Sequence, residues 1–193
     1  MAIIQARLTS TRFPNKILQK LGEKTILQHV IDNVSESKFV DKVVVAAPHK
    51  IPDHDVEVYT SREEDYVLQR YFLSARYNKA DIIVRITSDC PLIDPFWIDY
   101  CINVLEWKNY DYVCNTPFCP DGLDVEVFTF DALEKSYMYS VSKPDFEHVT
   151  PWIRRNMKMA EISGVLKYDN VKLSIDTPED LERVRRLVCS KTK

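Results

Sequence analysis

Residues 3–16 read I-I-Q-A-R-L-T-S-T-R-F-P-N-K, and this stretch indicates both the fold and the site of the chain. It begins as an uncharged apolar run and then supplies three cations and three hydroxyl side chains. These are Arg7, Arg12, Lys16, Thr9, Ser10 and Thr11. Such a sequence is typical of a buried strand that ends in an anion-binding loop. We expect the anion to be a nucleoside triphosphate.

The composition is that of an ordinary globular domain. The 193 residues are 45% hydrophobic and 28% charged, which suits one domain with a sizeable core, and we expect a single domain over residues 1–193. The net charge is −3, without a long run of either sign. This balance indicates neither a nucleic-acid-binding surface nor a membrane-binding one.

The number and spacing of the cysteines indicate the cellular compartment. There are five, which is an odd number, and they are widely spread without a C-x-x-C pair. This usage is typical of reduced thiols in the cytoplasm. The N-terminus has no signal-peptide pattern, and no window is long and apolar enough for a transmembrane segment. We therefore expect a soluble, cytoplasmic protein.

Predicted strands and helices alternate along the first half of the chain. Apolar runs rich in β-branched residues predict further strands at 41–48, 55–60 and 80–87. Helical spacing of apolar residues predicts helices at 22–37 and 62–77, and Pro95 begins a third. This alternation predicts a parallel α/β sheet with right-handed crossovers.

The pattern changes from residue 110, where we expect a smaller α+β insertion over about 110–166. Its strands are predicted at 110–115, 123–129 and 160–166, and its helices at 130–139 and 146–157. A further strand is predicted at 171–175. The last helix begins at Pro178, with Thr177 as its N-cap and Asp180 as the acid of a capping box.

Polar side chains follow the predicted strands, where open parallel sheets bind their ligands. The cations of the first loop follow one strand, Ser88 and Asp89 follow the strand at 80–87, and Asp176 follows the strand at 171–175. Such cations can clamp a triphosphate while magnesium bridges it to the carboxylates.

Each of these residues also fits a structural role. Single basic residues on loops are usually solvated, and Asp89 is suited to cap a turn. Asp176 is suited to cap the last helix, although Thr177 already fills that position. His148 fits a hydrogen-bonded structural histidine as well as a functional one.

Five stretches, in order and spacing, resemble those of one family. They are 6–16 (A-R-L-T-S-T-R-F-P-N-K), 85–95 (R-I-T-S-D-C-P-L-I-D-P), 121–128 (D-G-L-D-V-E-V-F), 147–153 (E-H-V-T-P-W-I) and 174–182 (S-I-D-T-P-E-D-L-E). From residue 2 to about 187, the chain resembles the spore coat polysaccharide biosynthesis cytidylyltransferase family. That family is related to CMP-KDO and CMP-sialic acid synthetases.

The resemblance implies a Rossmann-like, three-layer α/β sandwich of the nucleotide-diphospho-sugar transferase fold, with a mainly parallel sheet. It also implies a magnesium-dependent transfer of CMP from CTP to a sugar acid or a related acceptor, phosphorylated or not, with release of pyrophosphate. The setting is surface polysaccharide or glycan biosynthesis. Relatives form dimers through the insertion, so we expect a homodimer.

The resemblance further assigns roles by position. It implies a nucleotide-binding set of Ala6, Arg7, Ser10, Arg12, Lys16 and Ser88. It assigns magnesium binding to Asp89 and Asp176. It assigns catalytic roles to Arg7, Lys16 and Asp89. The acceptor is assigned to Asp121, Asp124, Glu126 and His148.

The chain departs from the family at two loop positions, where Thr9 and Asn15 replace glycines. Asparagine tolerates a left-handed backbone, but threonine does not. Either position 9 never takes a positive φ or the loop is reshaped. Because residues 3–16 contain no glycine, we expect the phosphate contacts to depend on the side chains of Arg7, Ser10, Arg12 and Lys16 more than in relatives whose loop carries glycines.

Two other functions stay open at this point. One is a glycosyltransferase that uses a nucleotide sugar, but such enzymes generally carry D-x-D after a strand, where S-D-C supplies one acid. The other is a non-catalytic nucleotide-binding subunit, favoured by the absent loop glycines. The weight of the motifs favours the cytidylyltransferase.

Overall fold

The computed structural model describes residues 1–52, 56–60, 65–116, 118–162 and 171–190, without the side chains of 189 and 190. The strands are β1 (Ala2–Gln5), β2 (Lys20–Leu21), β3 (Lys24–Thr25), β4 (Val43–Ala47), β5 (Glu57–Thr60), β6 (Ile82–Thr87), β7 (Tyr112–Cys114), β8 (Glu126–Thr129) and β9 (Met159–Glu161). The α-helices are α1 (Ile26–Ser35), α2 (Val67–Tyr77), α3 (Pro95–Lys108), α4 (Phe130–Tyr139), α5 (Lys143–His148), α6 (Pro151–Asn156) and α7 (Pro178–Ser190). Within these ranges no helix has the length and apolar character needed to span a membrane.

A mainly parallel sheet organises the molecule, as predicted. It has seven strands in the order β5-β4-β1-β6-β8-β7-β9. Strand β1 pairs in parallel with β4 and β6, so Ile4 lies between Val45 and Ile86. Only β8 runs antiparallel to its neighbours in this described sheet. The carboxyl ends of β1, β4 and β6 therefore meet at one edge, where ligands of such sheets bind.

Helices cover both faces of the sheet and confirm the three-layer sandwich. On one face, Leu27 of α1 and Ile98 of α3 pack with Ile4 in a buried core. On the other face, Tyr71 of α2 packs with Ile3 and donates a hydrogen bond to the Ile3 carbonyl at 3.0 Å. Neighbouring residues of a strand point to opposite faces. Ile3 and Ile4 therefore pack into separate cores on the two faces of the sheet.

The region predicted as an insertion extends the same sheet. Strand β8 pairs with β6, and β7 and β9 continue the sheet beyond it. The pairing sets Arg85 of β6 opposite Glu126 of β8. Residues 110–162 are therefore joined to the central sheet by backbone hydrogen bonds.

The described cysteines are unpaired thiols. Cys90, Cys101 and Cys114 are buried, Cys119 is half-buried, and none of the four forms a disulfide. Burial raises the pKa of the Cys90 thiol, and the nearby Asp89 carboxylate adds to this effect. The Cys114 thiol donates a hydrogen bond to the Thr116 carbonyl at 3.3 Å.

The first predicted helix begins later than expected. It was predicted from residue 22, but α1 begins at Ile26 because β2 and β3 form a two-stranded hairpin ahead of it. Gly22 supplies the positive φ of 65° at the turn between those strands. Thr25 caps α1 by accepting a hydrogen bond from the Gln28 amide at 3.1 Å.

The strand predicted at 171–175 is wrong. No strand is assigned there, because the amides of this segment bond to loops. Leu173 and Ser174 donate to the Asp121 carbonyl at 2.6 and 3.1 Å, and Ile175 donates to the Asp89 carbonyl at 2.9 Å. The parts of other predicted elements that fall on residues 53–55, 61–64 and 163–170 lie outside the described residues.

The helix predicted at 146–157 is two helices, α5 and α6, that are separated at Val149. Val149 has φ 69° and ψ −53°, and the Thr150 amide donates to the His148 carbonyl at 2.8 Å, which closes a γ-turn. A positive φ is unusual for a β-branched residue and costs about 1–3 kcal/mol. The Val149 side chain is fully buried in the core beneath α2 and α4, so packing maintains the turn.

We predict that Val149→Gly is more stable than Val149→Ala. Both lose the buried side chain, but glycine adopts a positive φ freely, so the expected difference in unfolding free energy is about 1 kcal/mol. Urea denaturation of the two variants measures it. The matched control is Val127, which is equally buried in β8. There the alanine variant is expected to be the more stable, and the same order at both positions contradicts the strained turn.

Candidate active site

The loop after β1 is closed by its own hydrogen bonds. The Asn15 amide donates to the Leu8 carbonyl at 3.0 Å, and the Phe13 amide donates to the Ser10 hydroxyl at 3.4 Å. Asn15 adopts a left-handed φ of 54°, whereas Thr9 is not among the residues with positive φ. Position 9 therefore needs no glycine in this loop, and asparagine serves at position 15.

Lys16 lies at the centre of the site. Its ammonium group contacts Asp89 Oδ2 at 2.6 Å and Asp176 Oδ1 at 3.0 Å, and its side chain is only 9% exposed. Arg12 also contacts Asp176 Oδ1, at 3.0 Å. Three segments that are far apart in sequence, the first loop, the turn after β6 and the turn before α7, therefore meet at one charged cluster.

The turn before α7 reaches the cluster by packing against two other loops, the turn after β6 and the loop that contains Gly122. The Ile175 amide binds the Asp89 carbonyl at 2.9 Å, which sets Asp176 beside Asp89. Gly122 allows this close approach, because a Cβ at that position would lie 2.4 Å from the Ser174 amide nitrogen. The capping box then fixes the start of α7, since Asp180 Oδ2 accepts from the amides of Asp176 and Thr177 at 2.9 and 3.1 Å.

The Asp176 carboxylate is strongly stabilised in its ionised form. Burial raises its pKa, but hydrogen bonds from Lys172 and Lys16 outweigh burial and lower the pKa to about 2. Lys172 contacts Asp176 Oδ2 at 2.8 Å and Asp180 Oδ2 at 2.9 Å. Lys172 therefore holds the carboxylate from the side opposite Lys16 and Arg12.

An open cavity of about 180 Å³ lies at the carboxyl ends of β1 and β6. The predicted residues that line it are Ala6, Arg7, Lys16, Ser88, Asp89, His148 and Asp176. Ser10 and Arg12 do not line it, although Arg12 reaches its wall through Asp176. Most of the predicted nucleotide-binding and metal-binding residues are thus brought together in one cavity.

Sequence reasoning missed Arg70, which lines the same cavity and is 2% exposed. Arg70 belongs to α2 and lies within the apolar stripe that includes Val67 and Tyr71. The sequence signal for Arg70 is a cation inside an apolar stripe, because arginine is seldom fully buried unless it is paired.

A second open cavity of about 560 Å³ adjoins the first. It is lined by Asp124, Glu126 and His148, three of the four predicted acceptor residues, together with Arg85, Arg154 and Arg155 among others. Asp121 lines neither cavity, and its carbonyl binds the segment before Asp176. Because His148 lines both cavities, it stands at their junction.

Glu126 forms part of a buried polar network beside this second cavity. It is paired with Arg85, and its Oε1 accepts hydrogen bonds from Tyr112 at 2.5 Å and Thr150 at 2.7 Å. Burial raises the pKa of Glu126, but the charge of Arg85 and these hydrogen bonds lower it overall. Through Thr150, Glu126 also anchors the turn that carries His148. Its contact with an acceptor stays a prediction.

The two aspartates suit a magnesium ion that arrives with phosphates. Both carboxylates point at one ammonium group, so their oxygens converge. Magnesium is usually held by one or two carboxylates and completes its shell with substrate phosphates and water. Among the described residues, no group of three or more His, Cys, Asp or Glu side chains is arranged to hold a metal. The donor set therefore fits a shared site and not an all-protein cage.

Comparison with known proteins identifies the family. The profile described as cytidylyltransferase matches residues 1–192, nearly the whole chain. The chain belongs to the cytidylyltransferase family. The family expected from the motifs is thereby confirmed, and with it the nucleotidyltransferase class of enzyme.

Individual relatives agree with this placement. The spore coat polysaccharide biosynthesis protein SpsF of Bacillus subtilis (strain 168) is 30% identical over 210 residues, covering 96% of this chain and 84% of that protein. The 3-deoxy-manno-octulosonate cytidylyltransferase of Solibacter usitatus is 27% identical, covering 97% and 93%. A solved cytidylyltransferase of Leptospira borgpetersenii is 30% identical with a TM-score of 0.90, covering 98% of this chain and 86% of that one.

We predict that Gly122→Ala disrupts the site and destabilises the protein. The new Cβ meets backbone atoms of residues 173 and 174, so the turn that carries Asp176 must shift, at an expected cost of about 2–4 kcal/mol. The control is Gly22→Ala, since Gly22 also has a positive φ but no atom within 4 Å of the added Cβ. It is expected to cost about 1 kcal/mol. Equal losses in urea denaturation contradict the steric argument.

We also predict that Asp176 makes the stability of the protein depend on pH in the acid range. Because its pKa is lower in the folded chain than the ordinary 3.8, its contribution is present above about pH 4 and disappears between about pH 4 and pH 2. Urea denaturation across this range is expected to show a smaller acid-induced loss in Asp176→Asn than in the unmodified chain. Asp131→Asn, at an exposed ion pair on α4, serves as the control, and equal losses in the two variants refute the assignment.

Proposed function

We propose that this protein transfers CMP from CTP to a sugar acid or a related, phosphorylated or unphosphorylated acceptor and releases pyrophosphate. We place the reaction in surface polysaccharide or glycan biosynthesis, with Mg²⁺ held by Asp89 and Asp176. One observation carries the proposal. In a chain that matches the cytidylyltransferase profile throughout, Lys16 and the two aspartates converge in a cavity at the carboxyl ends of β1 and β6.

The charged residues support triphosphate chemistry. Attack on the α-phosphate requires alignment and neutralisation of charge more than a protein nucleophile. Arg7 and Lys16 line the cavity, and Arg12 lies beside Asp176, so three cations are available to the phosphate oxygens. Bound Mg²⁺ supplies further neutralisation of the phosphates.

The second cavity supports a separate place for the acceptor. It adjoins the first at His148, so an acceptor there faces the nucleotide across one side chain. Arg154 and Arg155 line it and are 41% and 56% exposed, which leaves guanidinium donors accessible to an anionic acceptor. A carboxylate or phosphate oxygen of the acceptor is already ionised at neutral pH and attacks without a general base. A hydroxyl group of the acceptor requires a base, or a metal ion that lowers its pKa.

Pyrophosphate release tests the proposal. The four nucleoside triphosphates are each incubated with Mg²⁺ and a panel of sugar acids and sugar phosphates. We expect turnover with CTP, and a fall in kcat/KM of about 100-fold or more in Asp89→Asn and in Asp176→Asn. Asp131→Asn is the control, because that side chain is exposed on α4. Absence of turnover across the panel, or preference for another nucleotide, contradicts the proposal.

Two further measurements separate the other two functions. Calorimetric binding of CTP without turnover favours a non-catalytic subunit. Transfer from a ready-made nucleotide sugar favours a glycosyltransferase. The expected homodimer stays a prediction, which the mass measured by light scattering tests.

A further inference from the structure

The ammonium group of Lys16 occupies the point where the two carboxylates converge. It lies 2.6 Å from Asp89 Oδ2 and 3.0 Å from Asp176 Oδ1. The side chain is 9% exposed, whereas Asp89 and Asp176 are 24% and 21% exposed. A nearly buried cation thus bridges the two carboxylates.

We propose that Lys16 holds the metal position closed until the nucleotide arrives. On this view the triphosphate draws Lys16 away from Asp89 and Asp176, and the divalent cation takes its place. The metal therefore binds together with the nucleotide and only weakly without it. This inference rests on the proposed function, because it takes Asp89 and Asp176 as the metal ligands.

Charge neutralisation explains the coupling. A divalent cation and the Lys16 ammonium group repel one another at so short a distance. To admit the metal, Lys16 must give up both carboxylates, and a nearly buried ammonium without a partner is costly. The triphosphate supplies the replacement anion. When pyrophosphate leaves, Lys16 loses that anion and returns to the two aspartates.

Lys172 is the natural comparison for Lys16. It carries the same charge and also contacts Asp176, at 2.8 Å, but through Oδ2. Its second partner is Asp180 at 2.9 Å, not Asp89. Lys172 therefore lies outside the point between Asp89 and Asp176. Removal of Lys172 takes away a positive charge near the site but leaves Lys16 between Asp89 and Asp176.

The test measures binding of Mn²⁺, used as a spectroscopic probe, to the nucleotide-free protein. Electron paramagnetic resonance counts the free ion in the unmodified chain, in Lys16→Met and in Lys172→Met. We expect weak binding in the unmodified chain and binding about tenfold tighter or more in Lys16→Met, a change within the range of coupled sites. Lys172→Met is expected to give a smaller gain than Lys16→Met, because Lys172 does not lie between Asp89 and Asp176.

Two further measurements keep the result interpretable. Addition of Asp89→Asn to Lys16→Met is expected to abolish the gain, which assigns the bound ion to this site. Mn²⁺ is also expected to raise the melting temperature of Lys16→Met and not that of the unmodified chain. Lys16→Gln, with a polar side chain of similar reach, replaces Lys16→Met if the latter does not fold.

Three outcomes overturn the inference. They are tight Mn²⁺ binding by the unmodified chain without nucleotide, no gain in the Lys16 variants, and equal gains in the Lys16 and Lys172 variants. Its failure is distinct from failure of the proposed function. CTP turnover without a gain in the Lys16 variants refutes only the inference. A gain that requires Asp89, without turnover on any acceptor, supports the inference and counts against the proposed function.

Discussion

The site depends on one constraint, which is that a buried ammonium group must be paired with anions. Lys16 follows β1, in the middle of the sheet, and its side chain is almost fully enclosed. Such a cation is tolerated only when it is paired. Asp89 and Asp176 meet this need from positions 73 and 160 residues away in the chain. The pairing stabilises the site and brings three charged groups from distant parts of the chain together.

The surrounding structure positions the two aspartates by backbone contacts. Asp89 lies in the turn after β6, and its backbone carbonyl accepts a hydrogen bond from the Ile175 amide. This bond holds the next residue, Asp176, beside Asp89. Gly122 leaves room for this segment. On the other side of the cavity, the γ-turn at Val149 and the bond from Thr150 to Glu126 place His148 at the junction with the second cavity. Precise placement of charge is what phosphoryl chemistry requires from a protein.

Sequence periodicity predicted elements well where burial alone decides them. The strands at the centre of the sheet are continuous apolar runs, and α4 lies at the predicted residues, Phe130–Tyr139. Predictions were wrong where a few backbone contacts determine the local structure. The segment 171–175 has the composition of a strand, but its amides bond to loops. Residues 146–157 have helical spacing, but Val149 adopts a positive φ that its residue type disfavours. Tertiary packing overrides local preference at both places.

The sequence by itself determined the alternating α/β order, the loop of cations after β1 and the five motifs by which the family is recognised. Apolar spacing and residue type are local properties, so they can be read without coordinates. Only the tertiary structure decided that Asp176 is brought in by a loop crossing, that Arg70 lines the cavity and that Lys16 lies between the two carboxylates. These features depend on contacts between residues far apart in the chain, and no local pattern encodes the distance between them.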